Sequence, residues 1–97
     1  MMPQICAAIK DMKLLAFTYE GYARIVEPHA YGCDTKGNDI VRVYQVGGGS
    51  ESGNSIGWKL FLISRMQGLQ VQDQQFDGAR AGYRQGDSAM QSIYCQL

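Results

Sequence analysis

The chain has 97 residues, 45% of them apolar and 19% charged, with nine Lys and Arg balanced by nine Asp and Glu. That length fits one domain, residues 1–97, with a single modest core. Zero net charge argues against a strongly electrostatic duplex binder, which needs many uncompensated cations, and no apolar run reaches the ~20 residues that cross a bilayer.

In PQICAAIKDMK, Ile5, Ala8, Ile9 and Met12 recur at helical spacing, which predicts a helix over about 3–12 with Pro3 in its first turn. LLAFTYEG alternates as a strand within 14–20, and Glu20-Gly21 turns the chain into YARIVEP, a second strand within 22–31. That strand meets Pro28, which cannot donate to a ladder and restricts Glu27 before it. The motif Glu27-Pro28 therefore reads as a corner.

CDTKGND is a polar turn, and DIVRVYQV a third strand within 38–46. Its alternation sets Ile40, Arg42 and Tyr44 on one face against Val41 and Val43 on the other. GGGSESGNSIG is a mobile loop. It is no phosphate-binding loop, because no Gly-Lys-Ser/Thr follows it.

WKLFLIS begins a fourth strand within 57–65, and LQVQD makes a fifth within 68–73 after Gly68. Trp58 is either a core anchor or a base-stacking platform. These elements define a core over 3–75 and an extension over 76–97. In the extension, Asp87 or Ser88 is positioned to cap a short helix carrying Met90, Ile93, Tyr94 and Leu97 on one face. A face of that kind needs cover from its own sheet or from a second copy, so a homodimer or a protein partner is expected. The overall reading is a mainly β protein with an N-terminal helix, its five antiparallel strands forming a small curled sheet or barrel.

The cysteines Cys6, Cys33 and Cys95 are far apart and odd in number, which reads as reduced thiols in a cytoplasmic protein. The start of the chain lacks the pattern of a signal peptide. One histidine and scattered cysteines lack paired metal-ligand spacing, so no metal and no cofactor is expected. No serine or cysteine sits in a nucleophile motif, so an enzyme is not expected.

The pieces FTYEGYARIVEPHAYG, GNDIVRVYQV and WKLFLISRMQGLQV, taken together, resemble the WYL domain family over about residues 5–71. Tyr19, Arg24, Val26, Glu27, Pro28, Phe61 and Arg65 stand in the order and spacing of the family pattern. Asp39-Ile40-Val41 replaces the signature Trp-Tyr-Leu, and only a few residues precede the first helix, where the family usually carries a DNA-binding helix-turn-helix. The resemblance implies an SH3-like, Sm-type barrel. It also implies a ligand-sensing regulatory module in transcription or phage defence, with nucleotides or single-stranded nucleic acid as ligands.

Arg24, Arg42 and Arg65 lie on three predicted strands, and a guanidinium fork matches phosphate oxygens. Tyr19, Tyr31 and Tyr44 offer stacking faces, and His29 beside Pro28 offers a hydrogen bond. The candidate ligand site is therefore Tyr19, Arg24, His29, Arg42, Tyr44 and Arg65, with the three arginines converging on one face. The competing reading pairs these arginines with Glu20, Glu27 or Asp39 at the surface. The tail GARAGYRQGD, with Arg80, Tyr83 and Arg84, either touches nucleic acid, forms an interface with a partner chain or crosses the sheet to dock the last helix. As a whole, the alternative to a ligand sensor is a structural protein that assembles through its sheet.

Overall fold

The computed structural model describes residues 2–97. Helix α1, Pro3–Asp11, begins with proline in its first turn and ends at Met12, whose left-handed backbone returns an N–H to the Ile9 carbonyl. Its buried face, Ile5, Ala8 and Ile9, is the one the spacing predicts. Strand β1, Lys13–Tyr19, joins β2, Tyr22–Cys33, through Glu20 (φ 54°) and Gly21 (φ 80°). Two successive positive φ values give the hairpin turn that matches strand twist.

Strand β3 spans Asp39–Gly48 and β4 spans Gly57–Leu62. A 3-10 turn, Ile63–Arg65, leads into β5, Gln67–Gln75, and a last strand, β6, covers Ser92–Gln96. All pairings are antiparallel, in the order β4-β3-β2-β1-β5, with β6 on β2. The sheet is open, and β4 and β5 are its edges.

Strand β2 organises the molecule. One edge pairs with β3 along its length, while the other pairs with β1 up to Val26 and with β6 from Ala30. Between these two partners lie Glu27, Pro28 and His29. Pro28 faces Val43 and Ala30 faces Arg42, so His29 is the extra residue of a bulge. Proline is tolerated here because the bulge and the change of partner already interrupt the ladder.

Pleating divides the side chains between two faces. On the inner face Leu15, Phe17, Tyr19, Val26, Tyr31, Val41, Val43 and Phe61 pack beneath α1. On the outer face Ala30 and Ile40 pack against Met90, with Leu62, Tyr83, Ala89 and Ile93 around them. Residues 76–91 form an irregular strap across this outer face.

Two expectations are corrected. The extension forms no helix over Met90–Leu97. Gln91 N–H donates to the Cys33 carbonyl at 2.8 Å, and the chain continues along β2 as β6. A helix that short is marginal alone, whereas an open strand edge supplies a complete ladder. Met90 is consequently buried while Tyr94 is 39% exposed, so the shared apolar face that called for a second copy does not exist.

The thiols are not all reduced. Cys6 in α1 and Cys95 in β6 form a disulfide across 89 positions, leaving Cys33 free. Sequence distance concealed this contact, because β6 returns to lie beside α1. Among the described residues no helix is long and apolar enough to cross a membrane.

Candidate functional site

Two clefts flank β4. Alternation along that strand sends Lys59 and Phe61 to the inner face and Trp58 to the outer face. The inner cleft, about 330 Å3, has Tyr19, Arg24, Lys59 and Arg65 in its walls, with Glu20 and Glu51 at the rim. The outer cleft, about 580 Å3, is walled by Arg42, Trp58 and residues 82–88 of the strap.

Tyr19, Arg24 and Arg65 come together in the inner cleft. Arg24 projects from β2 and is only 2% exposed. Its Nη1 donates to Gln45 Oε1 at 3.3 Å and its Nη2 to the Tyr19 carbonyl at 3.1 Å. Its Nε has no partner, and the guanidinium carbon lies 5.2 Å from the centre of the Phe61 ring. Burying an ion costs several kcal/mol unless compensated. Here the compensation comes from two acceptors, aromatic faces and the Glu20 carboxylate at 3.6 Å.

Arg65 arrives from the 3-10 turn, over the Tyr19 ring at 5.2 Å, and its Nη2 reaches Glu20 Oε2 at 3.5 Å. One exposed carboxylate thus holds two guanidinium groups. The ion-pair reading holds for these two arginines through Glu20, and a cleft lies beside the pair.

Arg42 does not join them, which corrects the expected convergence of three arginines. The valines flanking it face inward, so the period of the strand sends Arg42 outward. There its Nε and Nη2 donate to the two Asp87 oxygens at 2.7 and 3.2 Å. That fork holds the Asp87 carboxyl below the usual carboxylate range.

His29 and Tyr44 are also outward. His29 is fully buried, with Trp58, Phe76 and Tyr83 around its ring. Its Nδ1 lies 2.8 Å from the Glu27 carbonyl, and its Nε2 accepts the Arg80 backbone N–H at 3.0 Å. These partners fix the neutral tautomer with the proton on Nδ1, and burial pushes its pKa below the ordinary 6.5. The Tyr44 ring carries the Arg80 guanidinium at 4.5 Å. Arg80 in turn donates to both Glu27 oxygens, at 2.7 and 2.9 Å. Glu27, Pro28 and His29 thus form no corner: β2 runs on through them as a bulged strand, and the bulge is the socket into which the strap is fastened.

Sequence reasoning did not single out Lys59, Asp87 as a partner of Arg42, or the pairing of Arg80 with Glu27. The available signal was the tail GARAGYRQGD. Of its readings, docking holds for Arg80 and for Tyr83, whose hydroxyl donates to the Leu97 carbonyl at 3.1 Å, but the element docked is strand β6 and not a helix. Among the described residues no group of three or more His, Cys, Asp or Glu is placed to hold a metal ion. The chain matches no family model, no curated protein and no solved structure.

Proposed function

We propose that this chain is a WYL-like, ligand-sensing regulatory module. It takes the phosphate of a nucleotide or of single-stranded nucleic acid in the inner cleft, with Tyr19, Arg24 and Arg65 as contacts. The observation that carries this reading is the sharing of Glu20 by Arg24 and Arg65. Two forks from different elements already converge on carboxylate oxygens, with Lys59 on a further wall. A phosphate offers the same acceptors with more charge, and Glu20 sits on an exposed turn from which it can swing away.

The strand order, with a 3-10 turn linking edge β4 to edge β5, supports an SH3-like, Sm-type barrel as the frame. The proposal sets the module in the cytoplasm, in transcriptional regulation or phage defence. In that compartment the Cys6–Cys95 bond depends on local oxidant.

The test is a thermal-shift screen of the full chain with nucleoside mono- and diphosphates and short oligonucleotides, since a ligand of the folded state alone raises Tm. Arg65→Ala should weaken the responding ligand about tenfold, and Glu20→Gln should strengthen it. No response from any compound, or a response indifferent to Arg65→Ala, removes the reading.

A second reading, self-assembly as a homodimer or larger, is favoured by the free edges of β4 and β5, which present unpaired ladder groups to a neighbour. Light scattering decides it: the mass of one chain at high protein concentration would exclude assembly.

A further inference from the structure

The strap is fastened on both sides of a short arch. On one side Arg80 grips Glu27 and His29; on the other Asp87 grips Arg42. Between the fastenings Gly82 and Gly86 take φ values of 90° and 74°, which side-chain-bearing residues rarely adopt. Tyr83, Arg84 and Gln85 bridge these two bends, and the outer cleft of about 580 Å3 lies against them. That volume falls within the range of small-molecule sites, roughly 300–1,000 Å3.

The chemistry of the walls is specific. Arg24, Arg42, Arg65 and Arg80 each pair with a carboxylate, and Arg84 is the one arginine without an ion pair among the described residues. Arg42 and Arg84 against Asp87 leave the cleft one net positive charge. Trp58 is half-buried, and its indole N–H is already directed at the Ala81 carbonyl at 3.4 Å. His29 and Tyr44 meet the ring edge-on and Tyr83 lies offset against it at 6.3 Å, so what half-buried Trp58 offers the cleft is the ring surface left beyond these neighbours. The inner cleft lacks this element, because the Tyr19 and Phe61 rings are buried against each other, 4.6 Å apart.

We infer that the outer cleft is a second binding site, selective for an aromatic carboxylate whose flat ring system lies on Trp58 while Arg84 takes the carboxylate. One net positive charge matches a monoanion. A phosphate dianion would set its second charge beside Asp87. The cleft lies across β4 from the phosphate-binding cleft proposed above, and neither reading requires the other.

Trp58 is the sole tryptophan, so its indole N–H gives a single resonance, and that residue stands in the wall of this cleft. The full chain is titrated with 2-naphthoate, with its neutral amide 2-naphthamide and with acetate, followed by 1H–15N correlation spectra. Saturable movement of the indole resonance is expected with 2-naphthoate, at least tenfold weaker with the amide and absent with acetate. Arg84→Gln, at an exposed arch position with no ion pair or side-chain hydrogen bond among the described residues, should weaken 2-naphthoate at least tenfold. Three results would each overturn the site: no saturable movement, equal binding of the amide, or unchanged affinity in Arg84→Gln. Loss of the movement in Arg65→Gln would place the ligand in the inner cleft and also overturn it.

Discussion

His29 shows how one protonation state can hold a chain segment in place. Its Nε2 accepts a backbone N–H from the strap, so a proton on that atom would set donor against donor and place a cation beside Arg80. The unfolded chain protonates at about the ordinary 6.5, whereas the folded chain resists until lower pH. The unfolded state therefore binds more protons in that window. Stability is complete above 6.5 and falls as pH drops below it, by up to about 1.4 kcal/mol per pH unit. Thermal melts between pH 7.5 and 5 should show this decline, and His29→Gln should flatten it; an unchanged slope in the variant would assign the decline elsewhere. The sequence marked His29 beside a proline corner but could not show burial, which arises from a bulge and from a strap more than fifty positions downstream. Arg24 was placed on its strand correctly, but Arg65 was read as part of the fourth strand and sits instead in the 3-10 turn that follows it. Arg42 was misplaced although its strand period was read correctly, since convergence depends on which face Arg24 takes.

At the scale of elements, β6 owes its place to an absent side chain. A Cβ on Gly32 would overlap the Ser92 carbonyl oxygen and stand 3.0 Å from Ile93 Cα. Gly32→Ala should therefore push β6 off β2 at a cost of about 3 kcal/mol, as overpacking does. Hydrogen exchange provides the readout. Amides of Ile93 and Cys95 should lose protection while those of β1 and β3 keep it; retained protection in β6 would show that the strand accommodates the methyl. The first five strands and the helix were legible because each carries its own period and ends in its own turn residues. The sixth was not. SIYCQ has no partner visible in the sequence, and Met90, Ile93, Tyr94 and Leu97 recur at helical spacing, whereas the strand that forms half-buries Ile93 and Cys95 and turns Tyr94 out.

For the molecule as a whole, the Cys6–Cys95 bond removes unfolded-state freedom over 89 positions. Loop-closure entropy for a ring of that size gives about 4–5 kcal/mol. In a domain this small, reduction should lower Tm by roughly 15 °C or more. Melts with and without a phosphine reductant, and of Cys6→Ala, measure it; equal Tm values in all three would show that packing alone holds α1 and β6 together. The bond also makes the covalent structure a loop rather than a line. A protease that cuts once within the exposed residues 51–54 opens that loop without dividing the protein. The nicked form should migrate as one species until a reductant separates its two pieces. After a single cut, parting the oxidised protein into two pieces therefore takes two separate chemical events, a peptide hydrolysis and a thiol exchange, in either order.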